Sequence, residues 1–531
     1  MLKSILTNSM ITMLSRVLGF VRDVMTARFL GAGLVSDCFF IAFKTPNFFR
    51  RMFAEGAFNA AFVPMFSKTL EGEPDPELAK LKAKAFAEQI LGILLLALAG
   101  VFALFELFMP FAMYVMAPGF VHDPERYGLA VDLTRTTFCY MVFISLVSLY
   151  SGILNTFMRF AVTAAAPILL NICMIIAMVG FATATRTAGH ALAWSVAVAG
   201  AVQLIWVAGA AGRMGMGLRL RIPKFSKEVT AFAKLIAPAA LGAGGVQLNL
   251  MMDNILASFL PKGSISFLYY ADRINQLPVG VIGVAVGTVL LPFLSRQVAS
   301  GNHKAAIYSL NRAMELVMLL TLPAAAAFVT VAAPIITVLF QGGAFTASDT
   351  MPTVYTLMAF SSGLPAYVLV KILTPGFFAR HDTKTPVRYA MICLVVNFCL
   401  NVILMLSLMP FGIGHVGLAL STATASWVNV GLLAFTLHKR GHFIPDAQLK
   451  RRLLGVIGSC VVMVGALIGI GHVLAPYLHG HVLMRISALA VLVVIGMAVF
   501  FAAGHPLGAY RIADLKRLAN RTPASPSPNA G

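Results

Sequence analysis

The sequence predicts an all-α integral membrane protein: about fourteen transmembrane helices, arranged as two parallel-repeat six-helix lobes around a central cationic cavity, plus two extra C-terminal helices. Three observations predict it. Hydrophobic residues make up 59% of the chain and charged residues 11%, where a soluble protein carries about 25% charged, so a water-covered surface cannot be built. Intervals free of Asp, Glu, Lys and Arg run over 136–158, 160–185, 187–212, 274–295, 316–348, 389–438, 453–484 and 486–510, and roughly 20 apolar residues cross a bilayer as a helix. The cations, finally, alternate along the chain as a positive-inside topology requires.

With charges, Pro and Gly clusters as punctuation, the spans centre near residues 18, 48, 98, 146, 172, 199, 243, 282, 325, 363, 398, 427, 463 and 494. The first apolar stretch contains Arg16, Arg22 and Arg28 and reads as a retained helix rather than a cleaved signal. With a cytoplasmic amino terminus, the inside segments hold 27 of the 40 Lys and Arg and the outside segments five, which fixes the orientation and puts both termini in the cytoplasm. The basic loops are therefore topology signals and lipid headgroup contacts, not a nucleic-acid surface. All six cysteines lie in apolar stretches without CxxC or His partners, so neither a disulfide framework nor a zinc site is indicated.

The domain reading is 1–212 for an N-terminal lobe, 213–438 for a C-terminal lobe, and 439–510 for a basic connector along the membrane surface plus two further spans. Residues 511–531 end in TPASPSPNAG and read as a disordered cytoplasmic tail. The lobes rest on an internal duplication. FVPMFSK (62–68) recurs in character as LLPFLSR (290–296), Asp23 and Asp253 precede their Pro64 and Pro292 at nearly equal distances, and GHALAWS (189–195) resembles GHVGLALS (414–421). Each half holds an even number of spans, so the copies are parallel.

The residues that carry function are ionisable groups inside predicted spans. These are Arg16, Arg22, Asp23 and Arg28 in the first, and Asp37, Lys44, Arg50, Arg51 and Glu55 in the second. Asp253 lies in the seventh, Asp272 and Arg273 in the eighth and Lys371 in the tenth. A centrally placed Arg, Lys or Asp costs about 2.5–3.5 kcal/mol against lipid, so these groups face a watery cavity. Arg16 and Asp23 are seven apart, as are Asp37, Lys44 and Arg51, which sets each series on one side of a helix. Eight cations against five anions leave a positive surplus suited to an anion, and arginine forks suit a diphosphate. Interhelical salt bridging is the other role open to Asp23, Asp37 and Asp272.

SRVLGFVRD (15–23), FKTPNFFRRMFAEGAF (43–58), YYADRINQLPVGVIGVAVGTVLLP (269–292) and KILTPGFFARHDTKTP (371–386) together resemble the MurJ/MviN family of the MOP exporter superfamily, and the likeness spans essentially the whole chain. The resemblance implies a fourteen-helix flippase for lipid II, the undecaprenyl-diphosphate-linked peptidoglycan precursor, in the cytoplasmic membrane of a bacterium. It places the substrate-binding residues on Arg16, Arg22, Asp37, Arg50 and Arg273, with Asp23, Lys44, Glu55 and Lys371 in matching motifs beside Asp272. One departure is Gln276, where many relatives carry Glu. Some members are proposed to bind sodium in the second lobe, and the positions for it here are Asp253, Asn397 and Asn401, with Asn401 standing where a carboxylate is expected. In the family picture the last two spans form a groove for the prenyl tail. Partners implied are lipid II, membrane lipids and cell-wall synthesis proteins; no cofactor is implied.

No GxxxxGK[ST] motif occurs, so ATP hydrolysis by a P-loop is not the energy source, and the expected mechanism is alternating access driven by membrane potential. Two other readings stay open: export of another lipid-linked saccharide or a drug, and a membrane glycosyltransferase. The second needs gathered acidic residues, and the one run, Glu71, Glu73, Asp75 and Glu77, lies in a Pro-containing loop among lysines.

Overall fold

The structure, a computed structural model, describes residues 2–51, 58–221, 230–232, 234–236, 247, 251–478 and 480–510. Glu55, the centre of the span expected near residue 243 and the C-terminal tail lie outside the described residues. Those described form helices joined by turns and loops, the only bridge among them being the isolated pair Gly342 and Phe345.

In chain order the helices are α1 (Leu2–Leu30), α2 (Leu34–Phe49), α3 (Asn59–Glu71), α4 (Pro76–Leu107), α5 (Met109–Met116), α6 (Pro124–Thr156), α7 (Phe160–Phe181), α8 (Ala188–Arg213) and α9, described over 251–258. They continue as α10 (Ser264–Ala299), α11 (His303–Thr330), α12 (Ala332–Leu339), α13 (Ala347–Ser362), α14 (Leu364–Phe378), α15 (Lys384–Leu408), α16 (Gly414–Lys439), α17 (Ala447–Leu478) and α18 (Val482–Gly504). Ten stretches among the described residues are long and apolar enough to cross a membrane, with α13 and α14 together making one of them. The helices α1, α2 and α10 are not among the ten; α2, at 16 residues, is shorter than a bilayer crossing needs.

Local chemistry sets the helix starts. Asp75 caps α4 by accepting the Glu77 N–H, Asp123 caps α6 by accepting the Arg126 N–H, and Pro76 and Pro124 follow them where no N–H is missed. Asn302 does the same for α11 through the Ala305 N–H. GHALAWS opens α8 and GHVGLALS opens α16, and each of these helices packs on the one before it. Pro46, Pro64, Pro278 and Pro292 all sit inside helices.

The chain forms two compact units: Met1–Tyr269 with Gly342–Asp349, and Tyr270–Gln341 with Thr350–Gly531. The break falls at Tyr269, whereas the repeat reading divides the sequence near residue 212. Bonds described below hold the segment 251–269 in the first unit. The segment 342–349 joins it because the Ala344 N–H donates to the Arg28 carbonyl at 2.7 Å, beside the turn where Gly31 takes φ +66°. A Cβ on Gly31 would stand 2.3 Å from the Ala344 oxygen, so glycine is required there on both counts.

In the first unit, Phe62 stacks on the rings of Phe58, Phe66 and Phe86, and Phe40 stacks on Tyr269 with centroids 3.9 Å apart. An apolar cavity of about 440 Å³ lies among Phe48, Phe49, Phe105, Phe108 and Met251. In the second unit the core is built from Leu310, Leu369, Ile372, Phe377, Leu433 and Leu437. There α17 is fastened to α11 by ion pairs: buried Glu315 accepts from Arg452 at 2.9 Å and pairs with Arg312, which also reaches Asp446.

Candidate functional site

α1 is the least apolar of the long helices, and its ionisable residues divide by environment. Arg16 is exposed, while Arg22 and Asp23 are buried against the rest of the first unit. Arg22 sends Nε (3.1 Å) and Nη2 (2.7 Å) to a single Asp23 oxygen, and Tyr269 donates its hydroxyl to that same oxygen at 3.1 Å. Its Nη1 donates to the Asn171 side-chain oxygen at 2.9 Å and lies 3.9 Å from the Met174 sulfur, both on α7. Phe43 of α2 lies under the guanidinium at 5.7 Å. A buried guanidinium is tolerable only with this density of partners.

Asp37 lies wholly buried in the first turn of α2, and four donors fill its carboxylate. Arg126 pairs with it at 2.8 Å, the Gly263 N–H donates at 2.8 Å, and Ser266 donates both its N–H (2.9 Å) and its hydroxyl (2.7 Å). Arg126 also donates to the Leu260 carbonyl at 3.2 Å and rides over the Phe120 ring at 3.9 Å. Nearby, Lys262 bonds Asp123 at 2.7 Å and holds that carboxyl below the usual range, and the Gly119 N–H donates to Ser258. Asp37 thus joins α2, α6 and the start of α10, and its counter-charge is Arg126, which sequence reading placed in an outside segment.

Farther along α2, Lys44 donates to Asn254 of α9 at 2.8 Å, and half-buried Arg50 donates Nε to Asn47. The helix widens to π geometry at Arg50 and Arg51, a distortion common at functional sites. The seven-residue series therefore spans three environments: Asp37 is buried, Lys44 half-buried and Arg51 exposed.

In the second unit, Asp272 and Arg273 are half-buried on α10, and Gln276 donates to Asp272, so the amide replacing an acid closes on the acid beside it. Lys371 of α14 is exposed and runs past Gly283 of α10, where a Cβ would meet its Cδ at 2.9 Å and its Nζ at 3.0 Å. Of the ion candidates, half-buried Asp253 lies on α9 in the first unit. Asn397 and Asn401 are buried on α15 in the second, where Asn401 donates to Asn397 at 2.8 Å and Asn397 lies 3.4 Å from Thr422. No group of three or more His, Cys, Asp or Glu suited to a metal ion occurs among the described residues.

Sequence reading missed Asn171, Tyr269, Arg126, Gly263 and Ser266. Asn171 had a signal: a carboxamide in α7, an otherwise almost wholly apolar helix. The other four had none, since their roles follow from chain-distant pairing.

The family model described as "Lipid II flippase MurJ" matches residues 26–489. The chain is 40% identical over 536 residues to a probable lipid II flippase MurJ of Rhizobium tropici, covering 100% of this chain and 98% of the relative. It is 35% identical over 470 residues to the lipid II flippase MurJ of Burkholderia cenocepacia, covering 87% and 89%. Among solved structures, a lipid II flippase MurJ in an inward closed conformation superposes with TM-score 0.74 at 25% identity, covering 93% of this chain and 97% of that one. An inward-facing multidrug resistance MATE transporter of the MOP superfamily matches at TM-score 0.63 and 14% identity over 82% of this chain and 97% of its own, which speaks to fold alone. With a family match over most of its length and relatives this similar end to end, the chain belongs to the lipid II flippase MurJ family.

Proposed function

We propose that the protein is a lipid II flippase of the bacterial cytoplasmic membrane. It carries the undecaprenyl-diphosphate-linked peptidoglycan precursor from the cytoplasmic to the periplasmic leaflet by alternating access, with no covalent step. The observation that carries this reading is membership of the family over nearly the full chain. Arginines kept within apolar helices add chemical support, Arg22 above all.

In this reading Arg16, Arg22, Arg50 and Arg273 are ligands for the diphosphate. Asp23, Lys44, Glu55, Asp272 and Lys371 set the charge around them. Asp37 braces the helices, since its lone pairs are already engaged by protein donors. The fourteen-span count, the two six-helix lobes and cytoplasmic termini belong to the same proposal. So does the tail path: α17 and α18 present Leu454, Val461, Ile468, Val494 and Met497 at their surfaces, and a prenyl chain held there avoids a loss of about 0.8 kcal/mol per CH2.

Carrying two negative charges outward across an inside-negative membrane releases about 4.6 kcal/mol per 100 mV, and the emptied cationic cavity is drawn back by the same field. Voltage therefore supplies both half cycles; flipping that persists after the potential alone is collapsed would refute this. The flippase reading itself is tested by depleting the lipid II flippase of a bacterial host, supplying this chain or its Arg22→Ala and Arg273→Ala variants at equal expression, and assaying lipid II at the outer leaflet. The wild type restores exposure and the variants do not. Export of another saccharide lipid or a drug by a chain that fails this assay would leave the fold and remove the substrate.

A further inference from the structure

Arg22 has five N–H groups, and the protein spends them unevenly. The side-on edge, Nε with Nη2, closes on one oxygen of Asp23, the next residue in the chain. The far end, Nη1, is held by α7 through the Asn171 oxygen. Asn171 is itself fixed from the other side, because its amide nitrogen donates to the Ser15 carbonyl at 3.1 Å, about two turns back along α1 from Arg22. A carboxamide can do both at once, its oxygen accepting from a cation while its NH2 donates to a carbonyl.

Gly19 faces Asn171 across this contact, and a Cβ there would lie 3.5 Å from the Asn171 nitrogen, an ordinary packing distance. Met174 and Met178 continue the same face of α7, with their sulfurs 3.9 Å from Arg22 Nη1 and 3.7 Å from the Thr26 hydroxyl. The side-on edge of a guanidinium is the edge that forks onto phosphate as readily as onto carboxylate. Asp23 fills that edge with the same chemistry a diphosphate would bring.

We infer that Asn171 is a positioning residue for Arg22: it clamps Nη1 to α7 so that the Nε and Nη2 edge can exchange the Asp23 carboxylate for a phosphate of the substrate. The inference deepens the flippase reading and rests on it, since it takes Arg22 as a diphosphate ligand. A released Arg22 would have to be ordered anew at each binding event, and the clamp removes that cost. Asp23 then serves as an internal stand-in that keeps the cation neutralised while no phosphate is bound.

The test is a double-mutant cycle on the full chain in lipid nanodiscs, reading equilibrium binding of lipid II for the wild type, Asn171→Leu, Arg22→Lys and the double variant. Asn171→Leu weakens binding about tenfold in the wild-type background, the scale of one hydrogen bond to a charged group, and changes nothing once Arg22 is lysine. Asn171→Asp keeps size and acceptor, so it serves where the leucine variant does not remain monodisperse. It too lowers affinity only while Arg22 is present, because it sets a second carboxylate on the guanidinium. Equal weakening in both backgrounds would mean that Asn171 serves α1–α7 packing alone and would overturn the inference. Full affinity in Arg22→Lys would remove Arg22 from the site and the clamp with it, while a wild type that does not bind lipid II would sink the flippase reading first.

Discussion

Arg126 and Asp37 form an ion pair at 2.8 Å that water does not reach, between the start of α6 and the first turn of α2. Desolvating two charges costs several kcal/mol each, and the pair holds because backbone and hydroxyl donors of residues 263–266 fill the remaining lone pairs.

Removing one partner strands the other. Asp37→Ala should destabilise the protein by about 3–5 kcal/mol, read as a fall in thermal unfolding temperature in detergent, and Asp37→Ala with Arg126→Leu should recover part of it. A single variant as stable as wild type would refute the account.

Gly119 presses on the backbone of α9, where a Cβ would stand 2.4 Å from the Ser258 carbonyl. Gly119→Ala should therefore cost on the order of 1–3 kcal/mol, because backbone rather than a flexible side chain has to yield. Gly128 on α6, with nothing within 4 Å of its would-be Cβ, is the matched control: Gly128→Ala should be neutral or stabilising by up to about 1 kcal/mol. Thermal melts of the two variants side by side settle it.

Gly283→Ala addresses function instead. The new methyl meets the end of the Lys371 side chain, which can swing aside at little cost in stability. Lipid II exposure in the complementation assay should fall toward that of Lys371→Ala while the unfolding temperature stays within a degree or two, about the scale of ±0.5 kcal/mol. Full activity in Gly283→Ala would show that the position of Lys371 is immaterial.

Asp382, between α14 and α15, accepts the Thr385 hydroxyl and N–H and the Arg440 guanidinium, and these donors lower its pKa to about 2. Because the folded value lies below the unfolded one, its contribution is present in full above about pH 4 and is lost as pH falls toward 2. Asp382→Asn should thus unfold at a lower temperature than wild type at pH 7, with the gap closing at acid pH. A gap independent of pH would contradict the assignment.

The broad fold was legible because lipid imposes it: long charge-free runs became α6, α7, α8, α15, α17 and α18. Ionisable residues inside helices were equally legible as a class, since Arg22 and Asp37 had no lipid-facing option. Their partners were not. Asp37 meets residues 89, 226 and 229 positions away, and no spacing within α2 encodes that. The seven-residue series Asp37, Lys44 and Arg51 crosses Pro46 and the π turn at Arg50 and Arg51, and its members differ in burial, which spacing alone does not encode. The compact division at Tyr269 was invisible for the same reason as Asp37: side-chain bonds from α2 and α6, not chain connectivity, hold residues 251–269.

By order along the chain α17 and α18 read as an addition, yet Glu315 of α11 depends on Arg452 of α17, and Arg312 on Asp446 just before it. A chain cut ahead of residue 446 would leave a buried carboxylate with one guanidinium in place of two, and a guanidinium stripped of its outer acid. Shortened versions made for expression or fusion should accordingly keep Asp446 and α17, because Asp446 and Arg452 supply the charges that α11 pairs with.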